Sequence, residues 1–141
     1  YRVRKPAVAF ILFGPNDLRA VDAAQYGANM RRIVDETLAA GIIPVLSTFS
    51  LYQEDQYFWS GIEFNRELKR IADEKYVPLI NLWSAARVLP DYGLDVDHVH
   101  MRLTGFDNLR LDDGQEAFSA AALYNVLALT TLGDIRVAIG L

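Results

Sequence analysis

The feature that most constrains the fold is the alternation of three short apolar runs with two stretches of helical periodicity. The apolar runs are predicted strands at residues 7–13, 42–47 and 77–82. The stretches between them, 21–40 and 61–75, carry apolar residues at the spacing of one helical face. Because strands joined by helical crossovers pair in parallel, the alternation predicts an α/β fold with helices on both faces of a parallel sheet.

The details of these segments support the same fold. Run 7–13 contains no polar residue, which is typical of a strand buried on both faces. Gly41 stands where glycine commonly ends a helix. A short helix around 83–89, a polar loop to Asp113 and a closing helix over 115–132 complete the prediction. No repeat, linker or low-complexity tract interrupts the chain, so we expect one domain over residues 1–141.

Composition excludes several classes of function. The 141 residues are 52% hydrophobic and 23% charged, with a net charge of −4 and no cysteine. The basic residues are scattered and form no stripe for a phosphate backbone, which argues against nucleic acid as a partner. No run reaches the roughly 20 apolar residues of a membrane span. Disulfides and thiolate metal sites cannot form, and the residues themselves do not indicate a compartment.

Ligands of parallel sheets bind at the carboxyl ends of the strands, and Asn16 follows the first strand in Gly14-Pro15-Asn16-Asp17. Two interpretations of this segment are open. It is either a turn into a helix in which Asn or Asp caps free N–H groups, or it directs the Asn16 amide into the crevice as a donor to a developing oxyanion.

Both histidines lie in Asp95-Val96-Asp97-His98-Val99-His100, and each follows an aspartate by three residues. At this spacing the carboxylate can accept the Nδ1–H of its histidine and leave Nε2 free as a base. A solvated loop with incidental histidines is the alternative. A metal site is disfavoured because no third ligand follows the pattern, and no cofactor is indicated.

These segments together resemble the SGNH (GDSL-type) hydrolases. Residues 14–18 are similar to the G-x-N-D segment of that family, and Asp97 to His100, with Gly105 five residues on, is similar to its D-x-x-H segment. The stretch between them, 64–83, resembles the family's helix and fifth strand. The resemblance implies a three-layer α/β/α, flavodoxin-like fold and hydrolysis of acyl, lipid or acetylated-sugar esters by a Ser-His-Asp mechanism.

Carried over by position, His100 is the general base, Asp97 its orienting carboxylate and Asn16 an oxyanion donor. The family usually has an apolar residue before the histidine, which favours His100, preceded by Val99, over His98, preceded by Asp97. The family's G-D-S segment, with the nucleophile, lies upstream of G-x-N-D, and only thirteen residues precede Gly14. The N-terminal strands and the serine are therefore expected outside this chain, and these residues alone are expected to be inactive.

Three further expectations come partly from the resemblance and partly from the residues themselves. The strand at 7–13 has a bare edge or pairs with another copy or fragment. The location is left open, although the family favours secretion or the cell envelope, and a lost signal peptide is compatible with the sequence. The aromatic loop from Tyr52 to Trp59 walls an acyl or sugar site, or else packs in the core. A non-catalytic flavodoxin-like binding domain remains the alternative function.

Overall fold

The computed structural model describes residues 6–104 and 114–140, so Gly105 lies outside the described residues. Three strands, Val8–Ile11 (β1), Ile43–Ser47 (β2) and Leu79–Ile80 (β3), form a parallel sheet in the order β1–β2–β3. The α-helices are Ala23–Ala39 (α1), Phe58–Lys75 (α2), Leu82–Ala86 (α3) and Ala120–Ala138 (α4), with short 3-10 helices at Asp17–Arg19, Pro90–Gly93 and Gln115–Phe118. The predicted parallel α/β fold is confirmed.

The chain divides into two compact units. The first unit comprises the residues up to Phe49 together with Gln56–Leu79. The second unit comprises Ser50–Asp55 and the residues from Ile80 onward. The boundary between the two units passes through β3.

In the first unit, β1 and β2 pair in register from Val8 opposite Ile43 to Ile11 opposite Leu46. β2 is buried along most of its length, as a central strand should be. The prediction that the first strand is buried on both faces is wrong, because Phe10 is 40% exposed while its neighbour Ile11 is buried. Side chains alternate between the faces of a strand, so one face of β1 is open. Among the described residues β1 is an edge strand.

Helix α1 begins after Asp22, which caps it, and ends just before the predicted Gly41. The Asp22 side chain accepts the N–H of Gln25 at 2.8 Å, and Gly41 follows the helix with a φ of +73°. Leu38 is one of the apolar residues whose helical spacing predicted this helix, yet it is 42% exposed. Thr37 is buried instead because its hydroxyl donates to the carbonyl of Ile33 at 2.7 Å and so brings no unsatisfied donor into the core.

Helices α1 and α2 pack against each other through one aromatic stack and one arginine. The rings of Tyr26 and Phe64 are parallel, with centroids 4.0 Å apart. The guanidinium of Arg31 contacts Glu67 at 3.3 Å and Glu74 at 2.9 Å. The hydrogen bond to Glu74 is the main cause that raises the pKa of Arg31 above its usual value, and the Arg31 guanidinium in turn lowers the pKa of Glu74. The first unit therefore combines a satisfied apolar core with ion pairs at its rim.

In the second unit, α3 packs against α4. A Cβ on Gly93 would lie 2.5 Å from the backbone nitrogen of Ala120, so the turn before residue 94 packs closely on the start of α4. The closing helix runs to Ala138 rather than to the predicted 132, because Gly133 is tolerated inside it at a cost of about 1 kcal/mol. Over the described ranges, no helix has the length and hydropathy to span a bilayer.

Candidate active site

The turn after β1 carries Asn16. The carbonyl of Gly14 accepts the N–H groups of Asp17 at 2.9 Å and Leu18 at 3.2 Å, and the 3-10 helix Asp17–Arg19 begins directly after Asn16. Asn16 is exposed and its side chain does not cap that helix. The predicted turn is confirmed, but the interpretation of Asn16 as its cap is wrong. Its carboxamide is therefore not committed to the turn.

Gly14 is required by the packing of this turn. Its φ is +138°, which residues with a side chain rarely adopt, and an added Cβ would lie 2.2 Å from Cε1 of Phe49. Phe49 is buried and follows β2. The ring of Phe49 thus fills the space that a side chain at position 14 would occupy, and this close contact fixes the backbone just before Asn16.

Asn65 fixes Phe49 in turn, a role that the sequence analysis missed. The Asn65 side chain is buried in α2 and donates from Nδ2 to the carbonyl of Phe49 at 2.9 Å, while its Oδ1 accepts the N–H of Phe49 at 3.0 Å. The carboxamide thus satisfies both backbone groups of a residue just past the strand end. The sequence feature that could have indicated this role is the position of an asparagine on the apolar face of a helix, three residues before Leu68.

In the second unit, Asp97 and His100 lie in a tight turn closed by an antiparallel bridge between Leu94 and Met101. The N–H of Asp95 donates to the carbonyl of His100 at 2.8 Å, and the N–H of His98 donates to the carbonyl of Asp95 at 2.9 Å. These backbone bonds set the turn. They bring the side chains at positions 97 and 100 to the same side of it.

The Asp97 carboxylate accepts three hydrogen bonds. Oδ1 accepts the backbone N–H groups of Val99 and His100, each at 3.0 Å, and Oδ2 lies 2.6 Å from Nδ1 of His100. The hydrogen bond to the imidazole, followed by those to the backbone N–H groups of His100 and Val99, holds the pKa of Asp97 well below its usual range. The predicted Asp97–His100 hydrogen bond is present. It orients an imidazole whose side chain is 71% exposed, with Nε2 directed away from the carboxylate.

The alternative pair, Asp95 and His98, is engaged differently. Oδ1 of Asp95 accepts the N–H of Val96 at 2.8 Å. The His98 ring stacks on Tyr52 with centroids 3.6 Å apart and planes 9° from parallel. Within the described residues, the side chains of Asp95 and His98 form no hydrogen bond with each other, and no group of three potential metal ligands is found.

A second tight turn positions an aromatic cluster in the same unit. Asp91, Tyr92 and Gly93 have φ values of +48°, +57° and +68°, so two residues with side chains occupy the left-handed region. The ring of Tyr92 lies edge-on to Tyr52 at 6.1 Å and beside Trp83 at 5.8 Å. Its hydroxyl donates to Oε1 of Gln53 at 3.0 Å, and Oγ of Ser50 donates to its carbonyl at 2.7 Å.

This cluster borders an open cavity of about 610 Å³. Its walls include Tyr52, Tyr92, Gln53, Glu54, Arg87 and Asp91. The predicted aromatic loop contributes only partly, because Phe58 and Trp59 belong to the first turn of α2 rather than to a loop. The first unit has a smaller cavity, of about 260 Å³, beside Phe13 and Tyr26.

The three predicted site residues are thus distributed over both units. Asp97 and His100 form one hydrogen-bonded pair in the second unit, while Asn16 follows β1 in the first. The expected proximity of Asn16 to His100 stays a prediction.

The amino-acid sequence matches the profile of the GDSL-like lipase/acylhydrolase family over residues 2–107. No curated protein matches the chain. Among solved structures it is similar to a lipase/acylhydrolase from Enterococcus faecalis, with a TM-score of 0.72 and 18% identity over 93% of this chain and 63% of that one.

Two further structures are similar. A GDSL-like lipase from Bacteroides thetaiotaomicron gives a TM-score of 0.64 at 16% identity, covering 89% of this chain and 63% of that one. An acetylxylan esterase from Geobacillus stearothermophilus gives 0.60 at 21% identity, covering 77% and 64%. At such identities the likeness shows a shared fold. The chain spans less than two thirds of the length of each of these proteins.

Proposed function

Because the chain belongs to the GDSL-like lipase/acylhydrolase family, we propose that it supplies the base, the orienting carboxylate and an oxyanion donor of an ester hydrolase. His100 is the base, Asp97 orients it, and Asn16 is the donor. The nucleophilic serine lies outside these 141 residues. The observation that carries the proposal is the 2.6 Å contact between Asp97 Oδ2 and His100 Nδ1, with an exposed imidazole beyond it.

The chemistry follows from this arrangement. With Nδ1–H donating to Asp97, Nε2 of His100 carries the lone pair that takes the serine hydroxyl proton as Oγ attacks the ester carbon. The tetrahedral oxyanion accepts a hydrogen bond from the Asn16 carboxamide, and His100 then protonates the departing alcohol. Water repeats the sequence on the acyl-enzyme, releases the acid and regenerates the serine.

The five serines of the chain support a nucleophile from elsewhere. Three of them are buried and bonded to backbone groups: Ser47 donates to Thr48, Ser50 to Tyr92 and Ser119 to Arg102. Ser60 and Ser84 are exposed but lie within α2 and α3. None occupies the particular strand-to-helix turn that presents this family's nucleophile, which lies upstream of the G-x-N-D segment.

The edge of β1 is the place where we propose that the missing strand adds. β1 pairs with β2 on one side and is the edge of the described sheet on the other. An edge strand offers a row of N–H and C=O groups to another segment. In this proposal the strand that ends in the G-D-S segment pairs there and brings its serine to the carboxyl end of the sheet, beside Asn16.

The substrate in this proposal is a small-molecule ester. The names of the similar structures include lipase, acylhydrolase and acetylxylan esterase, so the acyl and alcohol parts both remain open among lipid, simple acyl and acetylated-sugar esters.

The test compares two histidine variants in a protein that joins this chain to an upstream G-D-S segment. With nitrophenyl acetate as substrate, we expect His100→Ala to lower kcat/KM by about 10⁴-fold or more and His98→Ala to leave most of it. A fluorophosphonate should label the upstream serine.

The 141 residues alone should show no saturable hydrolysis. Saturable turnover by these residues, with fluorophosphonate label on one of their own serines, would refute the proposal that the nucleophile lies outside the chain. A loss confined to His98→Ala would move the site to Asp95 and His98. Absence of turnover in the joined protein would favour a non-catalytic binding domain.

A further inference from the structure

The cavity of about 610 Å³ in the second unit is lined by a distinctive mixture of side chains. Tyr52 and Tyr92 present two rings at an interplanar angle of 81°, with centroids 6.1 Å apart. Gln53, Glu54, Arg87 and Asp91 add planar polar groups around these rings. The volume falls within the roughly 300–1,000 Å³ typical of small-molecule sites.

The charges at this cavity select against two kinds of ligand. Glu54 and Asp91 face one lining guanidinium, Arg87, and Asp91 is also paired with Arg102 at 3.6 Å, so the cavity has no excess positive charge to hold a phosphate or carboxylate ligand. Leu89 is the one aliphatic side chain among the lining residues described, so a long acyl chain has little apolar wall to contact. A neutral molecule with many hydroxyls and one flat apolar face matches the lining better.

The two walls are fixed before any ligand binds. Asp91 and Tyr92 each hold a left-handed backbone conformation, which persists only where the surroundings impose it. Ser50 imposes it by donating to the Tyr92 carbonyl, and the N–H of Leu94 donates to the carbonyl of Asp91 at 3.0 Å. Tyr52 is held by its stack on His98. Backbone strain of this kind concentrates at binding sites.

We propose that this cavity binds an uncharged saccharide, with a pyranose ring on the face of Tyr52 or Tyr92 and its hydroxyls on Glu54, Asp91 and Gln53. A tyrosine ring is amphipathic and covers the C–H face of a sugar while its hydroxyl stays solvated. The Tyr92 hydroxyl already occupies Oε1 of Gln53, which leaves the amide N–H groups of Gln53 as donors. The assignment of the saccharide as the alcohol part of an ester rests on the proposed function. The binding of the saccharide to this cavity does not depend on that function.

The test is a calorimetric and NMR titration of the chain with xylotriose and with cellotriose. We expect saturable binding, weakened about tenfold by Tyr92→Ala because the aromatic contact is lost, and largely retained by Tyr92→Phe because the ring is kept. Tyr76→Ala is the matched control, since Tyr76 is 95% exposed in the first unit and does not line the cavity. It should bind like the parent.

Gln53→Ala is a second variant, because Gln53 is exposed and its removal does not threaten folding. It should weaken binding severalfold even if Tyr92→Ala fails to fold. Absence of saccharide binding by the parent chain, or binding that neither variant changes, overturns the proposal. So does hexanoate binding that depends on Tyr92, which would identify an acyl site. Nitrophenyl acetate contains no sugar. Failure to hydrolyse it therefore counts against the proposed function, whereas failure to bind a saccharide counts against the saccharide site.

Discussion

The two units hold their polar groups by different means. In the first unit, regular elements do the positioning: a strand end, a helix and one buried asparagine fix the backbone near Asn16. In the second, Asp97, His100 and the aromatic cluster are held by short turns whose residues include three side-chain-bearing left-handed conformations, at Asp91, Tyr92 and His98.

Because of this difference, we expect substitutions in the first unit to change stability and substitutions in the second to change activity. The first unit buries its key polar contacts, so damage there should appear mainly as lost folding free energy. The key carboxylate of the second unit is solvent-exposed, so its removal should cost activity with little change in stability. The predictions that follow test this separation, beginning with the largest effect.

Asp97→Asn should lower kcat on nitrophenyl acetate by about 10⁴-fold in the protein that includes the G-D-S segment. The asparagine keeps an oxygen for the backbone N–H groups but places an NH₂ against Nδ1, which favours the wrong imidazole tautomer. Asp95→Asn is the control and should retain most activity, because its oxygen can still accept the N–H of Val96. Melting temperatures should be similar, and equal activity losses would contradict the assignment.

Gly14→Ala should destabilise the chain by about 3 kcal/mol or more, measured by denaturant unfolding, because strain at φ +138° adds to the clash with Phe49. Gly41→Ala is the matched control. Gly41 also has a positive φ but no atom within 4 Å of the added Cβ, so the cost should be about 1–2 kcal/mol. Similar losses in both variants would show that packing on Phe49 is unimportant.

Asn65→Ala should destabilise by about 2 kcal/mol, because it leaves the buried N–H and C=O of Phe49 without their side-chain partner. Asn29→Ala provides the comparison. Asn29 is a half-buried helix residue that accepts one exposed hydrogen bond from Gln25, and its loss should stay within about 0.5 kcal/mol. Unfolding curves that coincide for the two variants would rule out the role given to Asn65.

Tyr76→Gly should stabilise by about 0.5–1 kcal/mol, because Tyr76 ends α2 at a φ of +52° with its side chain 95% exposed. His98→Gly relieves the same kind of backbone strain in the second unit. It also removes the stack on Tyr52, so no gain is expected there. A gain of equal size at both positions would mean that the stack contributes nothing.

The lowered pKa of Asp97 should be seen directly in the carboxyl carbon shift, with a titration midpoint well below that of an ordinary aspartate. Because the pKa of Asp97 is lower in the folded state, the ionised carboxylate stabilises the turn at pH values above the pKa that Asp97 has in the unfolded chain. This stabilisation is lost as the pH falls through the folded pKa. In His100→Ala the midpoint should rise, since the imidazole is the largest cause of the shift. An unchanged midpoint would contradict the hydrogen bond.

Much of the fold could be predicted because burial leaves a periodic trace in the sequence. The three strands and α1 follow from apolar runs, from helical spacing and from Gly41. The ends were less accurate: α2 starts at Phe58, inside the predicted aromatic loop, and β3 is two residues long because Asn81 caps α3 immediately afterwards, accepting the N–H of Ser84 at 3.2 Å.

One part of the candidate site could be predicted, because the spacing of two residues in the sequence determines how close the backbone brings them. The i, i+3 separation of Asp97 and His100 anticipated their hydrogen bond. The turn at residues 91–93 could not be anticipated, because glycine is the usual mark of a left-handed conformation and two of its three residues carry side chains. The role of Asn65 was overlooked because its side chain binds the backbone N–H and C=O of Phe49. Every residue has these backbone groups, so the sequence does not show which of them a side chain will bind.

The stack of His98 on Tyr52 has a spectroscopic consequence. The chain contains two histidines, and only the His98 ring lies flat on an aromatic face within the described residues. Ring currents shield nuclei above such a face, so the imidazole protons of His98 should resonate upfield of those of His100. The two imidazoles should therefore give separate signals that can be assigned without isotopic labelling.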